Sequence, residues 1–255
     1  MRIVRTIAEM YAGDGRVGLV PTMGAFHEGH LSLMRAARSD CDVVVVSLFV
    51  NPTQFRAGED LSRYPRDEER DARLAEEAGV DLLFVPNTDE MYPDGFATWV
   101  DVAERGGEAE ARPDHFRGVA TVCLKLFNIV RPDVAYFGQK DAQQASVVRR
   151  MVRDLNLPLV IRVLPTVRDE DGLAVSSRNV YLSAAERTRA LALPRALAAG
   201  RTAADPLAAT RAALNGLEPD YVEIIDLGDA KVLAAAVRVG ETRLIDNVIL
   251  EGELR

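Results

Sequence analysis

Cysteine and histidine are scarce in this chain of 255 residues, which contains two cysteines and three histidines. Cys41 and Cys123 lie beside apolar segments and show no metal-ligand spacing, so we expect two buried free thiols and neither a disulfide nor a metal site. The sequence also lacks an apolar run of the roughly 18 residues that would span a membrane, and its start lacks the apolar core of a signal peptide. We therefore expect a cytoplasmic protein with no membrane partner.

Blocks of basic residues are missing as well. Lysine and arginine total 31 against 39 aspartates and glutamates, which gives a net charge of −8. Proteins that bind nucleic acid usually carry a basic patch or stripe, so no nucleic-acid partner is expected, and any polyanion that binds here should be small. The composition is otherwise that of a globular protein, with 48% hydrophobic and 27% charged residues, and the length suits one large domain or two smaller ones.

Strand and helix patterns alternate through the first part of the chain. Residues 17–20, 42–50 and 81–86 are apolar runs typical of buried strands, and helical spacing at 31–38 and 65–78 separates them. Strands that alternate with helices in this way predict a right-handed α/β arrangement with a parallel sheet.

The alternation resumes after an irregular stretch at residues 87–118, where glycines and prolines interrupt any regular pattern and we expect a functional loop or flap. Helical spacing follows at 119–130 and 142–154, and strand patterns follow at 133–137 and 158–164. One α/β domain is therefore predicted for residues 1–166.

The composition shifts toward alanine and arginine from about residue 167. A capping box at residues 183–186 begins a helix that we expect to end near Gly200, and a second helix is predicted at 206–215. Together with about three short strands, two of them at 221–226 and 242–250, these patterns predict a smaller α+β domain over residues 167–255.

Two histidines follow the first predicted strand, in the stretch PTMGAFHEGH at residues 21–30. Gly24 and Gly29 allow the backbone to approach a ligand closely, and the start of the next helix favours anions. His27 and His30 can donate hydrogen bonds to the negative charge that develops on a phosphoryl group. Zinc is not expected, because a His-Glu-x-x-His site requires histidines four residues apart on a helix, whereas these are three apart.

Other polar side chains follow later predicted strands. Lys140 suits a phosphate, Asp141 can accept from ribose hydroxyls or cap the next helix, and Gln144 follows one helical turn later. Gln54 follows the strand at 42–50, and ligands in open α/β sheets lie beyond the carboxyl ends of strands. Alone, Gln54 is as well explained by a loop residue that faces water, and Lys140 and Asp141 are better explained by a solvated charge and a helix cap. Beside the histidines, Lys140 and Asp141 instead predict a phosphate site.

Ser176, Ser177 and Arg178 form a further set of donors suited to phosphate oxygens, although such a tripeptide alone is weak evidence.

Taken in order, the motifs of the chain resemble those of the pantothenate synthetase family over nearly the whole length. The motifs are residues 21–24 with 27–30, 49–55, 137–141 with 143–144, and 171–174 with 176–179.

The resemblance implies a Rossmann-like α/β domain of nucleotidyltransferase type, with the smaller α+β domain as a C-terminal lid. It also implies an AMP-forming ligase of pantothenate biosynthesis that joins pantoate to β-alanine at the expense of ATP. The pantoate carboxylate would attack the α-phosphorus of ATP and release pyrophosphate, and the amine of β-alanine would then attack the enzyme-bound pantoyl adenylate and release AMP. Neither step needs a nucleophile from the protein.

Individual roles follow from the same resemblance. His30 would be the proton donor, Gln54 and Gln144 would bind pantoate, and Gln54 would also lie near β-alanine. The remaining catalytic residues would be His27, Lys140, Ser176, Ser177 and Arg178. The ATP contacts would be Met23, Gly24, His27, His30, Gly138, Gln139, Lys140, Asp141, Val167, Val175, Ser176, Ser177 and Arg178.

Relatives in the family are commonly homodimers that need Mg²⁺. Arg70 stands where some relatives have an acidic residue that faces the metal, so we expect Asp71 to be the metal ligand. Two alternatives stay open, a nucleotidyltransferase with a small phosphorylated acceptor and a non-catalytic ATP-binding protein. The glutamines at 54 and 144 disfavour the first, because a phosphate acceptor favours arginine or lysine, and the retained His27, His30, Lys140 and Arg178 disfavour the second.

Overall fold

The computed structural model describes residues 1–56 and 58–254, and the chain divides into two compact units. The first unit comprises Met1–Ala103, Asp114–Phe137 and Val147–Val163. The second comprises Glu104–Pro113, Gly138–Ser146 and Leu164–Arg255. The predicted division into domains 1–166 and 167–255 stays a prediction.

A parallel sheet forms the core of the first unit, as the alternating patterns predict. Its six strands, in the order in which they lie side by side, are β1 (Arg2–Val4), β4 (Leu82–Phe84), β3 (Val43–Leu48), β2 (Val17–Thr22), β5 (Val134–Gly138) and β6 (Val160–Leu164). The β2–β3 pairing runs from Val17 opposite Val43 to Thr22 opposite Leu48. Val44, Val45 and Val46 are fully buried, as expected for a central strand that is covered on both faces.

Nine α-helices are described in residues 1–56 and 58–254. In sequence order they are α1 (Glu28–Asp40), α2 (Glu68–Glu77), α3 (Thr88–Met91), α4 (Gly107–Ala111), α5 (His115–Val130), α6 (Ala142–Asp154), α7 (Ala184–Ala190), α8 (Ala192–Thr202) and α9 (Pro206–Ala213). Along the sequence, α1 to α6 lie between strands of the parallel sheet, and α7 to α9 precede the strands of the second unit. The bounds of α6 agree with the prediction residue for residue.

Residues 87–118 contain more regular structure than the glycines and prolines predict. The helices α3 and α4 both lie there, and α5 begins at His115, four residues before the predicted start. The side chain of Asn87 caps α3 by accepting the amide N–H of Glu90 at 2.7 Å. Short helices of this kind have too few residues to show a hydrophobic repeat, so a periodicity argument does not detect them.

A three-stranded antiparallel sheet forms the core of the second unit. Its strands are β7 (Pro219–Asp226), β8 (Ala230–Val239) and β9 (Thr242–Gly252), with β8 in the centre. Leu193, Leu197 and Leu214 pack in one hydrophobic cluster with Leu233 and Ala235 of β8. Only β7 and β9 match strands that were located in the sequence, because the alanine-rich β8 has little β propensity.

The predicted single helix after the capping box is two helices, and the physical reason is Pro194. A proline inside a helix cannot donate to the carbonyl four residues earlier, so α7 ends at Ala190 and α8 begins at Ala192. Gly200 does not end α8. A Cβ at Gly200 would collide with Oγ1 of Thr210, so this glycine permits the close packing of α8 on α9.

Cys41 and Cys123 are buried free thiols, as predicted. Among the helices of residues 1–56 and 58–254, none combines the length and the apolarity that crossing a bilayer requires.

Candidate active site

His27 and His30 flank the first turn of α1, directly after the loop that follows β2. His27 is the extended N-cap residue, and its carbonyl accepts the amide N–H groups of His30 at 2.8 Å and of Leu31 at 3.0 Å. The two imidazole rings are stacked with centroids 4.0 Å apart. The helix begins three residues earlier than the spacing predicted, and both rings therefore lie at its N-terminal end, where partial positive charge favours anions.

The loop between β2 and α1 is fixed by side chains of its neighbours. The hydroxyl of Thr22 donates to the carbonyl of Ser47 at 2.6 Å and accepts the amide N–H of Gly24 at 3.2 Å. Gly24 has a φ of +85°, and a Cβ there would lie 3.0 Å from Oδ2 of Asp71. Glycine at this position therefore permits both the left-handed backbone and the close approach of a carboxylate.

Asp71, on α2, fixes the next two residues of this loop. Its side chain is 1% exposed, and its two oxygens accept the amide N–H groups of Ala25 at 2.7 Å and of Phe26 at 2.8 Å. Arg70 donates to the carbonyl of Phe26 at 3.1 Å. Burial raises the pKa of the Asp71 carboxyl above its usual value, and the two N–H donors partly offset that effect.

The predicted role of Asp71 as a magnesium ligand stays a prediction, and the geometry gives the carboxylate a different task. Both of its oxygens already accept main-chain N–H groups. Over residues 1–56 and 58–254, three or more His, Cys, Asp or Glu side chains never come together as a metal-binding group.

Gln54 ends the 3-10 turn Pro52–Gln54 that follows β3, and it is almost fully buried. Its Oε1 accepts from Nδ2 of Asn51 at 3.0 Å, and its Nε2 donates to Sδ of Met23 at 3.2 Å. Asn51 is itself fixed, because its Oδ1 accepts from the hydroxyl of Tyr92 at 2.9 Å. The structure thus brings two predicted site residues, Met23 and Gln54, into contact.

Helix α5 supports the turn that carries Gln54. Nδ1 of the buried His115 lies 2.9 Å from the carbonyl oxygen of Gln54, within hydrogen-bonding distance. A Cβ at Gly118 would lie 2.5 Å from the carbonyl oxygen of Thr53, so helix and turn pack backbone against backbone. His115 lies in the first turn of α5, although the sequence predicted an irregular loop over residues 87–118.

In the second unit, Gly138 precedes a 3-10 turn, Gln139–Asp141, that leads into α6. Nζ of Lys140 lies 3.5 Å from Oδ1 of Asp141, and the lysine side chain is 19% exposed. Gln144 is partly exposed one turn into α6, whereas its buried neighbour Gln143 accepts the amide N–H of Glu108 at 2.9 Å. Of the two adjacent glutamines, Gln144 is therefore the one with an accessible amide.

Val167 and Val175 face each other across a tight turn of the second unit. The amide N–H of Val175 donates to the carbonyl of Val167 at 3.0 Å, and Arg168 forms a β-bridge with Ala174. Arg168 also donates to both carboxylate oxygens of Asp246, at 2.6 and 3.0 Å. Two predicted nucleotide contacts that are eight positions apart in sequence are thus paired in the structure.

Ser176 leads directly from this turn into a 3-10 helix, Ser177–Tyr181. Its Oγ accepts the amide N–H of Arg178 at 3.3 Å, and its carbonyl accepts the amide N–H of Asn179 at 3.0 Å. Ser177 and Arg178 are both partly exposed. Their donor groups therefore extend from a backbone that Ser176 has ordered, which favours recognition of an anion.

Three polar residues that support these segments were not singled out from the sequence. Asn51 fixes Gln54, Asp246 fixes the turn at Arg168, and Asn247 donates to the carbonyls of Gln139 and Lys140. A signal existed for Asp246, since it interrupts the apolar stripe Leu244, Val248 and Leu250 on β9. Asn51 and Asn247 carry no comparable signal, because a single asparagine in a loop or strand has many explanations.

The comparisons with known proteins agree with the motifs. The sequence profile of the family described as Pantoate-beta-alanine ligase matches residues 1–249. The pantothenate synthetase of Heliobacterium modesticaldum is 54% identical, over 98% of this chain and 100% of that relative. The pantothenate synthetase of Roseiflexus castenholzii is 55% identical, over 98% of this chain and 100% of that relative.

Solved structures give the same result. The pantothenate synthetase of Thermus thermophilus matches with a TM-score of 0.93 and 48% identity, over 98% of this chain and 99% of that chain. The ligase of Francisella tularensis, in complex with beta-gamma ATP and beta-alanine, matches with a TM-score of 0.86 and 33% identity, over 99% of both chains. The predicted nucleotidyltransferase-type fold is thereby confirmed. The chain belongs to the pantoate–β-alanine ligase family.

Proposed function

We propose that this protein condenses pantoate with β-alanine to form pantothenate, AMP and pyrophosphate, through an enzyme-bound pantoyl adenylate. The single observation that carries the proposal is the match to curated pantothenate synthetases at 54–55% identity over 98% of the chain. As a member of this family the chain is an ATP-dependent ligase. The roles of its individual residues are the proposal.

In the first step, the pantoate carboxylate attacks the α-phosphorus of ATP while the bond to pyrophosphate breaks. We assign stabilisation of the charge on the phosphoryl oxygens to His27 and His30, which lie at the positive end of α1. His30 is the proposed proton donor. The amide N–H groups at the start of α1 add further donors for the phosphates.

Residues of the second unit are also proposed to bind ATP. Lys140 would neutralise phosphate charge, and Ser176, Ser177 and Arg178 would donate hydrogen bonds to phosphate oxygens. Gly138, Gln139 and Asp141, with the paired Val167 and Val175, would contact the nucleoside. The support for this assignment is that each segment has a backbone fixed by internal hydrogen bonds.

Pantoate is proposed to bind through the neutral amides of Gln54 and Gln144. An amide offers both a donor and an acceptor, which suits a substrate with hydroxyl groups and one carboxylate. Gln54 is supported by Asn51 and Met23 and so presents one defined orientation. In the second step the uncharged amine of β-alanine attacks the carbonyl carbon of the adenylate, AMP leaves, and the amine loses a proton.

Mg²⁺, a homodimer and a cytoplasmic location belong to the same proposal. Magnesium usually retains substrate phosphates among its ligands, so ATP itself would bring the ion. A homodimer would give twice the chain mass of 27.9 kDa in light scattering at micromolar concentration. A monomer throughout that range would refute this part of the proposal alone.

One assay separates the ligase from both alternatives: AMP formation from ATP, measured with pantoate and β-alanine present together and with each omitted. The ligase forms AMP continuously only with both. A nucleotidyltransferase with a phosphorylated acceptor would not depend on pantoate, and a binding protein would bind ATP without turnover. Either of these results would end the ligase proposal.

A further inference from the structure

Asn247, on strand β9, contacts the main chain on both sides of Lys140. Its Nδ2 donates to the carbonyl oxygens of Gln139 at 2.9 Å and of Lys140 at 3.0 Å. Its Oδ1 accepts from Nε2 of Gln139 at 3.3 Å. The Asn247 side chain is buried, and its partly buried bonds fix the carbonyl groups on both sides of the Cα of Lys140.

The preceding residue, Asp246, fixes a different segment. It is buried and accepts two hydrogen bonds from the guanidinium of Arg168, which also donates to the carbonyl of Gly172 at 3.2 Å. Arg168 lies next to Val167 and forms the β-bridge of the turn that ends at Ser176. The fork of arginine matches a carboxylate in two parallel bonds, which fixes the direction as well as the distance.

Successive residues of a strand point to opposite faces of the sheet. The adjacent residues Asp246 and Asn247 can therefore bind two different segments, the turn at Arg168 and the turn that carries Lys140. Asn247 is opposite Ala234 and Asp246 is opposite Ala235 in the register of β8 and β9. The small alanines leave space on both faces for a polar side chain and its partner. The carboxylate of Asp246 also accepts the amide N–H of Asn247 at 2.8 Å, so the pair is internally ordered.

We infer that Asp246 and Asn247 are positioning residues that set the two nucleotide-contacting segments of the second unit in register with each other. Asn247 fixes the backbone from which Lys140 extends, and Asp246 fixes the turn that carries Val167, Val175 and the following Ser176–Arg178 donors. The inference rests on the proposed function of these segments. It assigns no contact with substrate to either residue.

Asparagine is the side chain that this position requires. The two carbonyls need two N–H donors on one nitrogen, and Gln139 needs an acceptor on the neighbouring atom. Aspartate has almost the same shape and retains the acceptor, but it would place an oxygen against two carbonyl oxygens. Asn247→Asp therefore removes the donors with little change in volume.

The test measures ATP affinity and kinetics for Asn247→Asp and, as a smaller change, Asn247→Ser. Since two partly buried carbonyls would lose their donors and the backbone at Lys140 would no longer be fixed, we expect the dissociation constant and KM for ATP to rise about tenfold, with KM for pantoate changed much less. Hydrogen exchange should increase for amides of residues 139–146, while β8 keeps its protection. If ATP affinity and local exchange match the wild type, the inference is wrong.

Asp246→Asn tests the second half of the inference. It keeps one acceptor for Arg168 but loses the negative charge and one of the two hydrogen bonds from the guanidinium. Amide hydrogen exchange should therefore increase in residues 167–178, and ATP affinity should fall about tenfold. Arg168→Gln should have a similar effect, and the double variant should add little to either. Additive losses in the double variant would show that Asp246 does not act through Arg168.

Arg243→Gln is the matched control on the same strand. It breaks a partly buried ion pair of similar kind, since Arg243 donates to Glu108 at 2.7 and 2.9 Å and to Asp220 at 2.6 Å. We expect a lower melting temperature with unchanged ATP affinity. An equal loss of ATP affinity in this control would overturn the inference, because general destabilisation would then suffice. If the wild-type protein fails to form AMP, the proposed function is wrong. The positioning role of Asp246 and Asn247 is tested separately, by ATP affinity and amide hydrogen exchange.

Discussion

The imidazole ring of His27 is stacked on that of His30, with the ring planes inclined by 21°. Gly29 lies between them in the sequence, and a Cβ at this position would lie 3.0 Å from both Cε1 and Nδ1 of His27. That distance is shorter than ordinary van der Waals contact. The position of the His27 ring on the first turn of α1 therefore depends on the absence of a side chain at residue 29.

Gly29→Ala should lower turnover without lowering stability. Alanine is favoured over glycine in helices by up to about 1 kcal/mol, so the melting temperature should stay the same or rise. The displaced ring should reduce pyrophosphate release from ATP plus pantoate about 10- to 100-fold. In a His27→Ala background, Gly29→Ala should have no further effect, and an equal loss in both backgrounds would contradict the displacement of His27.

His30→Ala and Lys140→Ala should each reduce pyrophosphate release far more than stability. Removal of one donor to a developing oxyanion typically costs about 10²–10³ in rate. Both side chains are partly exposed, so the melting temperature should change little. Near-normal pyrophosphate release in either variant would show that the residue has no catalytic role.

Asp71→Asn should distort the loop before His27, because an amide has one acceptor oxygen where the carboxylate supplies two to Ala25 and Phe26. A buried N–H without an acceptor costs about 1–3 kcal/mol of unfolding free energy. Turnover should fall as well. Asp67→Asn is the control, since the Asp67 side chain caps α2 by accepting the N–H of Arg70.

The pH dependence of the Asp71 effect has a definite sign. Burial raises the pKa of this carboxyl above its usual 3.8, so the folded protein retains the proton at pH values where the unfolded chain has lost it. The stabilising contribution is therefore largest below pH 3.8 and decreases as the pH rises through the raised pKa. Urea unfolding of wild type and Asp71→Asn from about pH 4 to about pH 8 should show their difference in stability narrow or reverse with pH. A difference that grows with pH would mean that the two N–H donors outweigh burial.

Gly118→Ala should weaken pantoate binding by moving the turn that carries Gln54. A Cβ would meet the backbone of Thr53 at 2.5 Å, and backbone cannot rotate away as a side chain can. We expect a loss of about 1–3 kcal/mol in stability and a higher KM for pantoate. Ala120→Gly, at a buried position of the same helix, should lower stability without changing that KM.

Both thiols should be inert in the folded protein. Burial raises the pKa of Cys123 to about 12, so almost no thiolate forms at pH 8. Because the unfolded chain releases this proton near pH 9.0, stability should decrease as the pH rises from there toward 12, and less so in Cys123→Ala. Rapid reaction of the native protein with a thiol reagent at about pH 8 would contradict the burial of both cysteines.

The sequence predicted well those helices and strands whose buried residues form a regular apolar pattern. The run of valines in β3 and the apolar repeat of α6 were located correctly, because strands covered on both faces and amphipathic helices leave a direct record in the sequence. The start of α1 was placed three residues late, because the glycine between the histidines disfavours a helix by propensity while local contacts favour it.

The supporting residues of the site could not be predicted in the same way. Asn51, His115 and Asn247 act through hydrogen bonds to residues that are distant in sequence or lie in irregular turns, and no periodicity encodes such contacts. The residues that bear the chemistry were recognised because several of them occur together in motifs. The residues that fix their backbones occur alone, so only the structure reveals them.

The second unit is assembled from three separate stretches of the chain, and this limits how such proteins can exchange parts. Arg243 pairs with Glu108, and Asn247 bonds to Gln139 and Lys140, so strand β9 has partners in both of the short stretches. A chimera that received only residues 164–255 from a relative would place a foreign strand against native partners. Recombination should therefore yield active chimeras most often when all three stretches come from one parent.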